Sequence, residues 1–189
     1  MKKMITLLLL LIPLSGCIPA AIVAGATAGG AIIYDKRSIG TILKDRHAAQ
    51  TAQNTINRDR WLKGRSHISV AVFNQIALMV GQAQTAALRK RAFNIVENTK
   101  GVKRVYNEVR IEGPISTIQA TNDAWITTKV KTAMLATKGL SSTQIKAVTE
   151  NGVVYLMGEV SHQQGNLAAN VARQMSGVLK VVKVFQYLT

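Results

Sequence analysis

The chain repeats itself, and the repeat is its strongest constraint. Phe73-Asn74-Gln75-Ile76-Ala77-Leu78-Met79-Val80-Gly81 lines up with Glu150-Asn151-Gly152-Val153-Val154-Tyr155-Leu156-Met157-Gly158 at a shift of 77 residues, and Gly101-Val102-Lys103-Arg104-Val105 with Gly177-Val178-Leu179-Lys180-Val181 at a shift of 76. Two landmarks at nearly one spacing mean two copies of one small supersecondary unit, not one domain of 189 residues.

Within each copy the apolar period changes in the same order. In the second, residues 123–137 place Ile126, Val130, Ala133 and Met134 at helical spacing, with Asn122 or Asp123 offered as N-cap. Residues 145–149 and 153–160 then flank Asn151-Gly152, a strong hairpin signal because both central residues of a type I′ turn need positive φ. Ala168, Val171, Ala172 and Met175 return to helical spacing before Gly177, and residues 178–188 read as a closing strand. The order is αββαβ. The first copy follows the same plan. Its opening helix, read over 48–62, has only Ala52, Ile56 and Leu62 as apolar anchors, and Trp61 is expected in the core. Strands at 68–73 and 75–82 follow, then a helix on Leu88, Ala92, Ile95 and Thr99, then Gly101 and a strand over 102–111. Asn74-Gln75 replaces Asn-Gly at the turn, while Gly81 and Gly158 read as strand glycines approached closely by another element. The expected class is α+β: two tandem units, each with two helices on a three-stranded mixed sheet.

The N-terminus sets the compartment. Lys2 and Lys3 precede an apolar run that ends at Leu14-Ser15-Gly16-Cys17, the pattern of a secretory signal over residues 1–16 closing on a bacterial lipobox. Cys17 is then the lipidated, palmitate-bearing first residue of the mature chain, and two or three acyl chains make such an anchor effectively permanent. Ile18 stands where an Asp would favour retention in the inner membrane, so the periplasmic face of the outer membrane is expected. The Ala- and Gly-rich stretch that follows reads, to residue 43, as a linker. The first unit then spans 44–112, a linker at Gly113-Pro114 runs to 121, and the second unit spans 122–189.

These strings resemble the BON-domain family, and the whole chain looks like the dual-BON outer-membrane lipoproteins of Gram-negative bacteria. The resemblance is carried by the lipobox, Asp35-Lys36-Arg37-Ser38-Ile39-Gly40-Thr41, Asn122-Asp123-Ala124-Trp125-Ile126-Thr127-Thr128-Lys129-Val130, and Thr149 to Gly158. It implies that the first helix of the second domain binds anionic phospholipid, and that the protein supports outer-membrane integrity and gathers at cell-division sites. It implies no catalytic activity and no cofactor.

The residues of that helix fit an interfacial contact. With Ile126 at the centre of the apolar stripe, Trp125 lies about 100° away, Thr132 about 120°, Thr128 about 160°, and Leu135 opposite. An indole at the headgroup boundary beside Lys129 and Lys131 is what a lipid surface recruits. The candidate lipid-binding residues are Asn122, Asp123, Trp125, Ile126, Thr128, Lys129, Thr132 and Leu135, and packing of Trp125 on the other domain is the competing reading.

Charge adds a second candidate. The chain carries 24 Lys and Arg against 9 Asp and Glu. An envelope location turns that excess away from nucleic acid and toward anionic lipid or acidic proteins. The first unit is the more basic, with 13 basic and 5 acidic side chains against 7 and 3 in the second. Arg89, Lys90 and Arg91 offer a secondary basic patch there, along with Arg58, Arg60, Lys63 and Arg65. His47, His67 and His162 lack companions at metal-ligand spacing, and no nucleophile–base set, paired carboxylates or phosphate-cradling loop is present. The expectation is a non-enzymatic lipoprotein that binds anionic phospholipid. The alternative is a periplasmic interaction module that regulates outer-membrane assembly or septal cell-wall hydrolases. The arrangement of the two units, compact or loosely tandem, stays open.

Overall fold

The computed structural model describes residues 38–113 and 117–188. Cys17, the signal segment and most of the first linker lie outside the described residues. The order is α1 (Ile39–Arg58), β1 (Ser66–Phe73), β2 (Ile76–Ala83), α2 (Ala86–Glu97), β3 (Arg104–Ile111), then α3 (Thr117–Ala136), β4 (Ile145–Glu150), β5 (Val153–Val160), α4 (His162–Arg173) and β6 (Lys180–Tyr187). Both copies are αββαβ. Each sheet pairs its first two strands antiparallel and its second and third parallel, giving the orders β1-β2-β3 and β4-β5-β6. The expected mixed three-stranded sheets are present.

Both opening helices start earlier than apolar spacing suggests. Ser38 caps α1 by accepting the Thr41 amide, so residues 39–43, read as linker, are helical, and the helix stops at Arg58. Its buried apolar stripe is Ala48, Ala52 and Ile56, mostly small side chains, which is why its pattern is faint. Leu62, beyond the helix, fills the core in place of Trp61, which is 45% exposed under the Arg60 guanidinium. In α3 the stripe is Ile126, Val130 and Met134, all buried.

Asn122 and Asp123 do not cap α3, which already begins at Thr117. The buried Asp123 carboxylate instead accepts the amides of Asn151 (2.7 Å) and Gly152 (2.9 Å), at the β4–β5 turn. Asp45 of α1 does the same for Asn74 (2.6 Å) and Gln75 (2.9 Å). The two central residues of each turn have positive φ, 47° and 64° at Asn74 and Gln75, 51° and 71° at Asn151 and Gly152. A carboxylate from the first helix therefore holds the hairpin amides in both copies, and in the first copy it holds a Gln in a conformation that Gly adopts more easily. Gly81 and Gly158 are the close approaches expected: a Cβ would stand 2.0 Å from the His67 carbonyl oxygen in one copy and 2.5 Å from that of Gln144 in the other.

Helices cover one face of each sheet, and the other faces cover each other. Ala77, Met79 and Ala83 of β2 pack under α1 and α2, while Val154, Leu156 and Val160 of β5 pack under α3 and α4. The alternate residues Leu78 and Val80 of β2 and Val153, Tyr155 and Met157 of β5 form a third core with Ala71, Phe73 and Val184. The central strands are thus buried on both faces and read as continuous apolar runs. This settles the arrangement of the two units: they pack sheet to sheet.

Polar pairs close this layer at two ends. The buried Gln82 amide donates to Glu150 Oε1 (2.7 Å), leaving Gln82 Oε1 without a partner among the described residues. At the corresponding strand position of the second copy, Glu159 accepts from Asn74 Nδ2 at 3.2 Å, which also donates to Gln186 Oε1 at 3.2 Å. Burial pushes the Glu150 carboxyl above the usual carboxylate range and Asp123 adds to the push, while the Gln82 hydrogen bond, His67 and Arg110 partly offset it.

A carboxyl whose folded pKa is raised costs stability while ionised, and that cost vanishes as pH falls through the folded pKa. Stability should therefore rise on mild acidification from neutral pH. Glu150→Gln, which also offers Gln82 Oε1 a donor, should be more stable than wild type at neutral pH by about 1 kcal/mol. Urea unfolding at a series of pH values should show that advantage shrinking toward the folded pKa. In the first hairpin, Gln75→Gly relieves the positive φ and should raise the urea midpoint, by about 1 kcal/mol in free energy.

Candidate functional site

The outward face of α3 follows from its inward one. Because Ile126, Val130 and Met134 must fill the core and Asp123 must reach the hairpin, the helix has one allowed rotation about its axis. Trp125 then stands 62% exposed and Leu135 56% exposed. Asn122, Thr128 and Thr132 are also at the surface, the Thr128 hydroxyl bonded back to the Ala124 carbonyl. Trp125 does not pack on the other domain.

Two of the eight candidate residues are not on this face. Ile126 is core and Asp123 is the hairpin clamp, so neither reaches a ligand lying on the helix. Lys129 is half-buried, and its ammonium donates to the carbonyl and hydroxyl of Ser176, just past α4. An ammonium has three N–H groups, so one remains for solvent or a headgroup oxygen. Lys131 is exposed. The face left for a partner is Trp125 and Leu135 with Asn122, Thr128, Lys131 and Thr132 between and beside them, and Lys129 at its margin.

The basic patch of the first domain is partly consumed by structure. Arg91 grips Asp59 with Nε to both carboxylate oxygens (2.9 and 2.8 Å) and Nη2 to Oδ2 (2.7 Å). That hydrogen bond first, with the Trp61 and Leu62 amides and the guanidinium charge, holds the Asp59 carboxyl below its ordinary range against desolvation. Lys90 lies over the Phe93 ring at 4.7 Å. Of the three, Arg89 alone has neither an ion pair nor a ring contact among the described residues.

Sequence reading missed Asp45 and Asp123 as a repeated pair. The available signal was an aspartate at the same place in both copies, three residues before Ala48 and Ile126, the first buried residue of each apolar stripe. Among the described residues no three His, Cys, Asp or Glu gather as a metal site, and no helix is long and apolar enough to cross a membrane.

The BON-domain model matches residues 44–113 and 122–189. This chain belongs to the BON-domain family. It is 34% identical over 188 residues to the outer membrane lipoprotein DolP of Haemophilus influenzae, covering all of this chain and 97% of that one. It is 38% identical over 154 residues to the 21 kDa hemolysin of Actinobacillus pleuropneumoniae, covering 82% and 79%. Among solved structures, a chain of CdsD, a structural protein of the type III secretion system of Chlamydia trachomatis, aligns over 76% of this chain and 63% of its own at 14% identity and a TM-score of 0.30. The likeness along its whole length to the Haemophilus protein makes the chain a dual-BON outer-membrane lipoprotein of the DolP type, lipid-anchored in the outer membrane.

The two roles assigned on α3 separate by mutation. Asp123→Ala removes two charge-assisted bonds to the hairpin and should cost about 2–4 kcal/mol, read from urea unfolding. Trp125→Ser should stay within about 0.5 kcal/mol of wild type, because the indole is outside the core.

Proposed function

We propose that the outward face of α3 binds the anionic phospholipid surface to which the chain is tethered, and that this contact underlies support of outer-membrane integrity, including at division sites. The observation that carries the reading is a tryptophan and a leucine held outward on a helix whose rotation the core and the Asp123 clamp have already fixed. Exposed apolar side chains of that size have no use to the fold and suit an interface that is apolar below and charged above. Thr128, Thr132 and Asn122 offer hydrogen bonds at headgroup depth, and Lys131 and the free N–H of Lys129 offer positive charge to phosphates. The helix lies on the surface and does not insert across it. The reading assigns the protein no catalytic step and no cofactor.

The test uses the chain from residue 18 onward, which contains every described element but no acyl anchor. It should co-sediment with phosphatidylglycerol vesicles and not with phosphatidylcholine vesicles, and binding should weaken as salt screens the phosphates. Trp125→Glu should reduce binding at least tenfold without changing the urea midpoint. Equal binding by the variant, or none by wild type, would overturn the reading.

A further inference from the structure

A groove of about 480 Å³ opens where the first sheet ends over the second. One wall is the last half of β3, from Asn107 to Ile111, and the floor is the inner face of β5 and β6 at Val153, Tyr155 and Val182. Arg89, Arg110 and Lys180 line it, and none of the three is hydrogen-bonded or ion-paired to another described residue. Glu108 is the one acid among the lining residues, and Glu150, which feels the Arg110 charge, lies close by; the three cations outnumber the two.

The wall is a free sheet edge. Among the described residues β3 pairs with β2 on one side and with no strand on the other. The Val109 amide is taken up by the Asn107 side chain of its own strand (Oδ1, 3.2 Å), in the manner of a stand-in for a missing neighbour. A strand laid there would extend the first sheet beside Val182, the floor residue that is only half-buried, while Val153 and Tyr155 are already buried between the sheets.

A second, smaller groove is formed by the starts of β2 and β3 and the end of β6. It is lined by Asn74, Gln75, Ile76, Lys103, Arg104 and Gln186, and measures about 350 Å³. Gln186 pairs in register with Glu159 as Arg110 does with Gln82. There Asn74 ties Gln186 to Glu159, whereas Arg110 in the larger groove makes no hydrogen bond to a described residue, though its charge reaches Glu150. The larger groove therefore keeps an arginine at the register position that Gln186, bonded to Asn74, takes in the smaller one.

We infer that this groove receives an extended acidic segment of a partner protein, which adds as a fourth strand along β3 with its carboxylates on Arg89, Arg110 and Lys180. Main-chain bonds to the edge supply affinity, and the three cations select the charge of the segment. This surface is separate from the α3 face, so the chain can hold lipid and peptide at once.

The probe is a decapeptide of alternating Glu and Val, titrated by fluorescence anisotropy into the chain from residue 18 onward. It should bind. The same peptide with Lys for Glu, and one of equal charge interrupted by Pro, should bind at least tenfold more weakly, since the first lacks the charge and the second cannot form the strand bonds. Arg110→Glu with Lys180→Glu should lose at least tenfold while keeping the wild-type circular dichroism. Arg89→Glu, on the helix surface, serves as a milder second variant in case the double one misfolds. Trp125→Glu should leave peptide binding unchanged. Equal binding of the Pro-interrupted peptide, equal binding by the charge-reversed chains, or loss on Trp125→Glu would each overturn the proposal.

Discussion

The fold depends on burying two strands twice. β2 and β5 are each the centre of their sheet, covered by helices on one face and by the other sheet on the opposite one. A three-stranded sheet with one pair of helices would leave Leu78, Val80, Tyr155 and Met157 facing water. Fully burying an apolar side chain of that size is worth about 1.5–3 kcal/mol. Each domain completes the other's core. That explains why two units of under 80 residues, each marginal by size, stand as one structure.

The same arrangement fixes what the surface presents. With both sheets turned inward, the four described α-helices are on the outside, and each must aim its apolar stripe at its own sheet. The aspartates at 45 and 123 add a second constraint by tying the opening helix of each copy to its hairpin turn. Trp125 is outward because Ile126 and Asp123 are inward. The first copy has the same clamp but His47 at the place of Trp125, so symmetry of fold does not bring symmetry of function. The proposed peptide groove also follows from the sandwich, since it lies where the edge of one sheet stops short of covering the other.

Much of this was legible in the sequence, for identifiable reasons. The hairpins were visible because a tight turn needs particular residues at adjacent positions, and the α3 stripe because Ile126, Val130 and Met134 are large. The start of α1 was hidden because its stripe is alanine and its cap, Ser38, sits in a polar segment that reads as linker. Trp61 was misplaced because two adjacent bulky residues competed for one core position and Leu62, the one that helical spacing names as an anchor, took it. Asp45 and Asp123 act on backbone about 30 residues away, and Arg91 grips Asp59 across 32, so no local rule reaches them. The sheet-to-sheet packing stayed open on the sequence alone, although the continuous apolar runs of β2 and β5, which lack the alternation of a half-exposed strand, carry its signal.

The claim that the two domains form one cooperative core is tested most directly by native-state amide exchange at Leu78 and Leu156, in the middle of β2 and β5. If each sheet completes the other, both amides should exchange through one opening, with the same free energy and the same urea dependence as global unfolding. Exchange at one through a cheaper opening that leaves the other protected would contradict the account, since it would mean that one domain stands without its partner.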